Sequence, residues 1–329
     1  TGEISLVRGN QSEIKAIYDA LSPNTQADAS TTGKGVDGGQ IEDSAIIAYR
    51  LARLINCPVV ATGEEDYVSD GTRVFAVPHG HSIMTAVTGT GCLLGAVLAA
   101  FFSAYYPCKN RLSIGEFLAY ALAYYGLAGE SAVQVSGVQP GSFSVAFMDS
   151  LYTLDDAVLM SENRIRPIVV PDQLQVYFIS GTQDVELNEN RLLSIVEDAC
   201  RGGVTCFQFR EKGTGTLVGQ QKLELAQQLQ QICAKYNVLY IINDDVDLAV
   251  AVNADGVHVG QEDMSLEAVR NLIGLKVVGI SIHSVEELHK TDVIYADCVG
   301  VGPMYATSSK PDAQVPCGPN RITELQAEG

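Results

Sequence analysis

Short apolar runs alternate with longer amphipathic patterns in the second half of the chain. The runs are rich in β-branched and aromatic residues, which predicts strands near 175–179, 205–209, 238–242, 255–259, 276–280 and 297–301. The intervals repeat apolar positions at helical spacing, which predicts helices near 188–201, 218–235, 245–252, 265–272 and 284–290. Strands that alternate with helices are typical of βα units around a parallel sheet.

Polar residues gather where these predicted strands end. The chain reads Gln208-Phe209-Arg210-Glu211-Lys212 at the end of the second strand. Alternate side chains of a strand share a face, so we expect Gln208, Arg210 and Lys212 to project together. Arginine offers a planar fork of donors and lysine a mobile charge, a pair that suits a phosphorylated or pyrophosphorylated ligand. A charged edge strand without a ligand is the alternative that this motif leaves open.

Carboxylates follow the next two strands. Asp244 and Asp245 come after Asn243, and Asp263 follows the fourth strand. Asp244 and Asp263 would suit Mg²⁺ held between protein and pyrophosphate if they meet near Lys212, because Mg²⁺ commonly takes one or two carboxylates plus phosphate oxygens. Alternatively, Asp245 and Asp263 cap the helices that follow them. The carboxyl ends of the strands are the face on which (β/α)8 barrels build active sites.

Five ordered motifs in this half resemble thiamine-phosphate synthase. The resemblance runs from about Gln175 to Lys310, through QFREK at 208–212, NDD at 243–245, DGVHVGQED at 255–263, GISIHS at 279–284 and GPMYATSSKPDA at 302–313. It implies a (β/α)8 barrel, of which residues 175–329 supply six strands. We therefore expect an incomplete TIM barrel whose C-terminal part is missing.

The resemblance also implies a role for each matching residue. The aminopyrimidine pyrophosphate would be contacted by Gln208, Arg210, Lys212, Asn243, Ser281 and Lys310. Asp244 and Asp263 would bind Mg²⁺, and Thr307 and Ser309 would contact the thiazole phosphate. The implied reaction joins aminopyrimidine pyrophosphate to hydroxyethylthiazole phosphate and releases pyrophosphate. The catalytic candidates are the cations that would stabilise the leaving charge, namely Arg210, Lys212 and Lys310.

The first half contains a glycine-rich turn before a long uncharged segment. The turn reads Val87-Thr88-Gly89-Thr90-Gly91-Cys92. Its glycines let backbone N–H groups approach a ligand, and a helix that begins there directs its positive end at an anion. Membrane insertion is the alternative, because 82–107 contains no charged side chain and Gly91 and Gly95 form a Gly-x-x-x-Gly pair. The turn leaves about fifteen helical residues, fewer than the ~20 of a typical span, so we expect a buried helix.

Other ordered segments of this half resemble hydroxyethylthiazole kinase, a member of the ribokinase-like superfamily, over residues 1 to about 157. They are the turn above, Arg8-Gly9-Asn10 with Glu13, the segment 61–68 and Pro140-Gly141-Ser142-Phe143. The resemblance implies a three-layer α/β/α domain that lacks its N-terminal part. The residues around Asn10 also suit a capped helix without chemistry.

The kinase resemblance implies transfer of the ATP γ-phosphoryl group to the alcohol of hydroxyethylthiazole, with Mg²⁺. It assigns Arg8 and Thr62 to ATP, Glu13 to the metal environment, Gly89 to the thiazole and Gly91 to an anion hole. Cys92 occupies the position of the catalytic Asp of most ribokinase-like enzymes. A thiol is a poor base at its reference pKa of ~8.5, so we assign Cys92 to positioning or weak base assistance.

The amino-acid composition limits the classes of molecule that the chain could bind and where it could reside. The net charge is −18, which argues against nucleic acid as a partner, because phosphate backbones are bound by an excess of Lys and Arg. The eight cysteines show no Cys-x-x-Cys spacing, and the sequence shows neither a signal peptide nor a membrane span, so we expect a cytoplasmic location. His79 and His81 could bind metal as a pair, although a loop role is the preferred interpretation.

We expect two domains, at 1–157 and 175–329, joined by an exposed linker at 158–174 that mixes charge and proline. The missing strands and the absence of an initiator Met predict a fragment of a longer two-enzyme chain. The partners would be the small-molecule substrates and further copies of the chain, in a trimer implied by the kinase resemblance. The alternative is a non-catalytic remnant that binds phosphorylated thiamine precursors or partner proteins.

Overall fold

The computed structural model describes residues 4–22, 38–105, 107, 111–306 and 315–328, with the backbone alone for 38–43. The chain forms two compact units, Thr1–Val170 and Pro171–Gly329. No helix in these described ranges is long and apolar enough to cross a membrane.

The first unit is built on a five-stranded sheet in the order β1-β2-β3-β4-β5. Strands β1 and β2 are parallel, and the other neighbouring pairs are antiparallel. Tight turns join β2 to β3 and β3 to β4; in the second turn, Asp70 Oδ1 accepts from the N–H groups of Thr72 and Arg73. The strands are β1 Val7–Asn10, β2 Val59–Thr62, β3 Asp66–Ser69, β4 Val74–Val77 and β5 Arg166–Ile168.

Helices cover both faces of this sheet. Helix α2 packs on β2, β3 and β4, and α4 packs on β3 and β4. Strands β2 to β4 are therefore buried on both sides, with Val60, Val68 and Phe75 fully inaccessible. The helices are α1 Gln11–Leu21, α2 Gly38–Ile55, α3 Thr90–Ala104, α4 Ile114–Ser136, α5 Pro140–Thr153 and α6 Asp156–Glu162.

The segment expected to be an exposed linker is partly structured within the first unit. Strand β5 pairs with β4, and Val170 is only 2% exposed. Arg164 donates to the carbonyl oxygen of Pro78 and to Glu130, and Arg166 pairs with Glu65. The charged residues that suggested solvent exposure thus form ion pairs at the sheet edge, and 166–168 belong to the sheet rather than to a connection.

The second unit is a parallel sheet in the order β11-β10-β9-β8-β7-β6, a half-barrel of six strands. Every predicted strand and helix is present, with boundaries within two residues of the expected ones. The strands are β6 Tyr177–Ser180, β7 Cys206–Phe209, β8 Leu239–Asn243, β9 Gly256–Val259, β10 Val277–Ile282 and β11 Cys298–Val301. The helices are α7 Pro171–Leu174, α8 Glu189–Arg201, α9 Gly219–Lys235, α10 Val246–Ala251, α11 Leu266–Ile273, α12 Val285–Lys290 and α13 Asn320–Glu328.

The pleat of this sheet separates the core from the site. One face packs against the helices and carries Phe207, Phe209, Tyr240 and other apolar residues of a single core. Because side chains alternate along a strand, the intervening residues point to the opposite face. That face carries Gln208, Asn243, His258 and Ser281.

Candidate functional sites

A cleft of about 560 Å³ lies at the carboxyl ends of the strands of the second unit. Four residues predicted to contact pyrophosphate line it, namely Gln208, Arg210, Asn243 and Ser281. Apolar side chains, among them Leu174, Ile179 and Val301, form the rest of the wall. The cleft therefore combines a polar region with space for an apolar ring.

Hydrogen bonds fix the polar side chains at the floor of this cleft. The amide nitrogen of Gln208 donates to Tyr177 Oη at 2.9 Å, and Gln208 is 3% exposed. Burial raises the pKa of Tyr177 well above its ordinary value, so the phenol stays protonated. Nε2 of His258 lies 2.9 Å from Ser281 Oγ. The floor thus presents oriented hydrogen-bonding groups rather than mobile charges.

The two aspartates predicted to bind Mg²⁺ meet at the strand ends. Lys212 Nζ lies 2.9 Å from Asp244 Oδ2, and Asp244 and Asp263 interact directly. Burial, and then the neighbouring Asp244, raise the pKa of the Asp263 carboxyl, although the backbone N–H of Gly260 donates to it at 2.7 Å. Two carboxylates and a cation in contact are a donor set that suits Mg²⁺ and phosphate oxygens.

The structure shows which of these aspartates caps a helix. Asp245 caps α10 by accepting from the N–H of Leu248 at 3.0 Å, as expected. The capping alternative for Asp263 is wrong, because Ser265 is the N-cap of α11. Asp263 instead accepts from Gly260 within its own loop. Its carboxylate is thereby held beside Asp244 rather than at a helix end.

Glu211 supports the site without facing it. Its carboxylate accepts from the N–H of Thr182 at 2.9 Å and from that of Leu217 at 2.8 Å, and it also contacts the Thr182 hydroxyl. It joins the loop after β6 to the loop after β7, on either side of Arg210. The sequence contains no local sign of this role, because Thr182 lies 29 residues before Glu211.

Lys212 does not lie with Gln208 and Arg210, the two residues with which it was predicted to share a face. Gln208 and Arg210 line the cleft, whereas Lys212 lies past the strand end and pairs with Asp244. Strand β7 ends at Phe209, so strict alternation does not extend to Lys212. Three further predicted residues, Thr307, Ser309 and Lys310, lie outside the described residues.

The first unit holds a second cleft, of about 740 Å³. Thr62 and Gly91, both predicted to serve the kinase reaction, line it. Asn10, Asp66 and Thr90 also line it, so the cleft extends from the end of β1 to the start of α3. Thr62 Oγ1 donates to the carbonyl oxygen of Gly9 at 3.3 Å.

The guanidinium group of Arg8 lies against the glycine-rich turn. A Cβ atom added to Gly91 would be 3.3 Å from Arg8 Nη2. Gly89 has a φ of 98°, which a residue with a side chain rarely adopts, and it immediately precedes α3. Tyr125 Oη donates to the carbonyl oxygen of Thr90 at 2.5 Å and fixes the turn. A cation beside the first N–H groups of a helix forms an anion site.

Glu13 forms a capping box with Asn10. The backbone N–H of Glu13 donates to Asn10 Oδ1 at 2.9 Å, and that of Asn10 donates to Glu13 Oε2 at 2.7 Å. This is the capping alternative of the sequence analysis, which is confirmed. A part for Glu13 in the metal environment stays a prediction.

Asp66 is a cleft residue to which the sequence analysis gave no role. Its Oδ1 accepts from the backbone N–H of Gly63 at 2.9 Å. Burial raises the pKa of Asp66 to about 6, against the opposing effects of that N–H and of the Arg8 charge. A signal was available in the sequence, since Asp66 follows a turn-forming Gly-Glu-Glu segment.

Cys92 is the third residue of α3 and is exposed. His79 and His81 have structural roles: the N–H of Arg164 donates to His79 Nε2 at 2.9 Å, and that of Ile83 donates to His81 Nδ1 at 3.2 Å. Burial lowers the pKa of His79. Within the described part of the chain, no three His, Cys, Asp or Glu side chains form a cluster that could hold a metal ion.

Comparisons with known proteins match both regions of the chain. Residues 176–329 match the family model described as Thiamine monophosphate synthase, and residues 1–157 match that of the Hydroxyethylthiazole kinase family. Thiamine-phosphate synthase of Staphylococcus carnosus (strain TM300) is 48% identical over 156 residues, which are 47% of this chain and 73% of the relative. The chain carries regions of two transferase families of thiamine biosynthesis. It belongs to the thiamine-phosphate synthase family through its second unit.

Two further matches concern the chain as a whole and its first unit. The thiamine biosynthesis bifunctional protein ThiM/ThiE of Symbiobacterium thermophilum is 35% identical over 331 residues, which cover 98% of this chain and 64% of the relative. The fusion therefore has the kinase region first and the synthase region second. A solved hydroxyethylthiazole kinase from Pyrococcus horikoshii OT3 matches 50% of this chain and 56% of its own, with 30% identity and a TM-score of 0.41.

Proposed function

We propose that the second unit joins an aminopyrimidine methylene group to the ring nitrogen of hydroxyethylthiazole phosphate. The products are thiamine phosphate and pyrophosphate. The observation that carries this proposal is the meeting of Asp244, Asp263 and Lys212 at the strand ends. Its support also comes from the adjacent cleft, which offers Arg210 and Gln208 beside apolar walls.

The reaction needs no side-chain nucleophile. The bond between the pyrimidine methylene carbon and the pyrophosphate oxygen breaks, and the oxygen keeps the electron pair. The lone pair of the thiazole nitrogen then forms the new carbon–nitrogen bond. Arg210 and Lys212 stabilise the charge that develops on the leaving group, together with Lys310 by resemblance. Gln208, Asn243 and Ser281 orient the pyrimidine pyrophosphate.

The acidic pair fits Mg²⁺. Asp244 and Asp263 interact directly, and proximity to Asp244 contributes to the raised pKa of Asp263, so a divalent cation would relieve their repulsion. These two residues would hold the ion, and when bound it would neutralise charge on the departing pyrophosphate. Lys212 Nζ would then exchange part of its contact with Asp244 for a phosphate oxygen.

The half-barrel sheet is consistent with an incomplete (β/α)8 barrel. Its six parallel strands run in sequential order, and the described helices α8 to α12 pack on one face. For the first unit, we propose an incomplete ribokinase-like domain, supported by a layered sheet with helices on both faces.

The function proposed for the first unit is ATP-dependent phosphorylation of hydroxyethylthiazole. The position of the Arg8 guanidinium beside Gly91 supports it, because a cation and the N-terminal end of α3 converge there. The alcohol oxygen attacks the γ-phosphorus, the bond to the bridging oxygen breaks with its electron pair staying on ADP, and the alcohol proton passes to water or, with weak assistance, to the Cys92 sulfur. Arg8 and Thr62 would bind ATP, with Mg²⁺ near Glu13, while Gly89 would contact the thiazole and Cys92 would position the alcohol.

The product of the first reaction is a substrate of the second, so the chain would carry two consecutive steps of thiamine biosynthesis. It spans 64% of the bifunctional relative, and the complete activity of such a protein is therefore part of the proposal. We also propose self-association through the first unit. Helix α3 has no charged side chain, yet only Leu94 and Leu98 are buried on it.

The coupling reaction tests the synthase assignment. We expect Arg210→Ala and Asp244→Ala each to reduce formation of thiamine phosphate by about 100-fold or more, since each removes a charge from the leaving-group site. Thiochrome fluorescence measures the product. Asp198→Asn serves as a control, because Asp198 is an exposed partner of Arg201 on α8. Full turnover in both site variants would refute the assignment, and precursor binding without turnover in the wild type would favour the non-catalytic remnant.

A further inference from the structure

His283 lies in the synthase cleft and has no part in the reaction described so far. It immediately follows β10 and lines the cleft together with Arg210 and Ser281. Its side chain is 18% exposed, so the ring is accessible but partly enclosed. A histidine placed beside two residues assigned to pyrophosphate is a candidate for a ligand contact.

Glu287 holds the imidazole of His283 in one orientation. One oxygen, Oε2, accepts from the backbone N–H of His283 at 2.6 Å and lies 3.0 Å from ring Nδ1. Because a carboxylate only accepts hydrogen bonds, Nδ1 must carry a hydrogen. Glu287 is itself anchored on α12, where its backbone N–H donates to Ser284 Oγ at 3.2 Å. The ring is therefore positioned from the first turn of a helix.

The second ring nitrogen of His283 is available. Among the described residues, Nε2 has no hydrogen-bond partner, and it is not among the buried polar atoms without partners. When the imidazole is protonated, Nε2 carries a hydrogen as well and both nitrogens are donors. The arrangement then presents one charge-assisted donor in the cleft, with its countercharge on Glu287 behind it.

We infer that His283, oriented by Glu287, contacts the pyrophosphate group of the synthase substrate through Nε2–H. This inference rests on the proposed synthase function and adds a further cationic donor to Arg210, Lys212 and Lys310. A phosphate oxygen is the acceptor that suits this site, because Arg210 and Ser281, which line the same cleft, can also donate to an anion. The histidine differs from both lysine and arginine in that its charge responds to pH near neutrality.

Charged and titratable groups face this part of the cleft from several elements. Glu286 and Glu287 lie on α12, Asp184 faces the cleft from the segment after β6, and His258 faces it from β9. Arg210 faces it from the end of β7. A bound pyrophosphate favours the protonated ring, so its affinity should fall as pH rises through the range where histidines titrate, about 6 to 8.

Binding of inorganic pyrophosphate with Mg²⁺ to the full chain tests this inference. By calorimetry at about pH 6, we expect His283→Gln to weaken binding about tenfold and Glu287→Gln about threefold, because a charge-assisted donor or its orientation is lost. The tenfold difference between wild type and His283→Gln should shrink toward about pH 8.5. His289→Gln is the matched control, since His289 is an exposed histidine of the same helix paired with Glu328.

A lysine substitution separates ligand contact from structural support. His283→Lys restores a cation and should return the affinity to within about threefold of wild type, whereas a purely structural role would leave it as weak as His283→Gln. Unchanged binding by His283→Gln, with binding lost in Arg210→Ala, would overturn the inference and leave the synthase site intact. Failure of the wild-type chain to bind pyrophosphate would overturn both.

Discussion

The two units build their clefts from different parts of the polypeptide. In the second unit, side chains at the ends of parallel strands meet through direct contacts, as Lys212 and Asp244 do. In the first unit, the cleft depends on backbone geometry, on Gly89 in a left-handed conformation and on Gly91 in contact with Arg8. A site made of side chains tolerates small backbone shifts better than a site in which a glycine leaves room for a cation.

Gly91→Ala tests the cleft that depends on backbone geometry, and we expect from it the largest loss of activity in the first unit. The new Cβ would lie 3.3 Å from Arg8 Nη2, so the guanidinium would have to move away from the turn by a few tenths of an ångström. We expect ATP-dependent phosphorylation of hydroxyethylthiazole to fall by about 100-fold, because misplacement of a group that positions phosphate is costly. Removal of a helical glycine should leave stability unchanged or slightly higher. Steady-state kinetics and a thermal unfolding curve measure the two quantities.

Gly95→Ala provides the control in the same helix. Apart from its chain neighbours and the backbone of its own helix, no atom of the described residues lies within 4 Å of the Cβ that it would add. The variant should therefore keep its activity within about twofold while gaining the same small helix propensity, about 0.5 to 1 kcal/mol. Equal losses in both variants would mean that α3 as a whole is sensitive, and the distinction between backbone and side-chain sites would fail.

The second unit could be predicted from the sequence almost completely, because its local signals agree with its tertiary structure. Each strand of the half-barrel is a short apolar run followed by polar residues. In a parallel sheet the carboxyl ends of all strands lie on one side, so Gln208, Asn243 and Ser281 could be expected to converge. The role of Glu211 could not be foreseen, since the N–H groups that donate to its carboxylate belong to two different loops, at Thr182 and Leu217.

The first unit was less predictable. The hairpins β2-β3 and β3-β4 rest on short polar turns within a segment that the sequence analysis used only as a motif. Strand β5 comes about ninety residues after its partner β4 and contains charges and a proline, which predicted a linker. The local sequence does not indicate such long-range pairing. The segment is extended because it pairs with β4, and not because its own residues favour a strand.

A smaller effect is expected from Asp66, which tests how enclosed the first cleft is. A folded-state pKa of about 6, raised from 3.8, means that the unfolded chain ionises first as pH rises. Stability from this group is thus complete below about pH 4 and is lost as pH rises through about 6. We expect a loss of about 2 kcal/mol after allowance for partial exposure.

Urea unfolding of wild type and Asp66→Asn at several pH values measures this loss. The asparagine keeps an acceptor for the Gly63 N–H but cannot ionise. Its stability relative to wild type should therefore increase between about pH 4 and pH 7. A constant difference across that range would show that Asp66 is well solvated, and the cleft would then be as open as the synthase site.

The smallest effect on stability is expected at the helix cap beside the acidic pair. Ser265→Ala should reduce the free energy of unfolding by about 1 kcal/mol, since Ser265 Oγ accepts from the Ala268 N–H at the start of α11. Coupling activity should change little. Asp263→Asn should instead abolish coupling, because it removes a proposed Mg²⁺ ligand. Its stability should be equal or higher, because one of two adjacent carboxylates becomes neutral.

Ser265→Ala and Asp263→Asn, two residues apart, distinguish a residue that stabilises the fold of the second unit from one that serves its reaction. Chemical denaturation gives the stability of each, and thiochrome fluorescence gives the activity. A cost of about 1 kcal/mol in Asp263→Asn with activity retained would mean that Asp263 serves only its own loop, through the bond from the Gly260 N–H. Asp244 would then be the only carboxylate assigned to Mg²⁺ in the second unit, and its contact with Lys212 would have to account for the pyrophosphate site without a second acidic ligand.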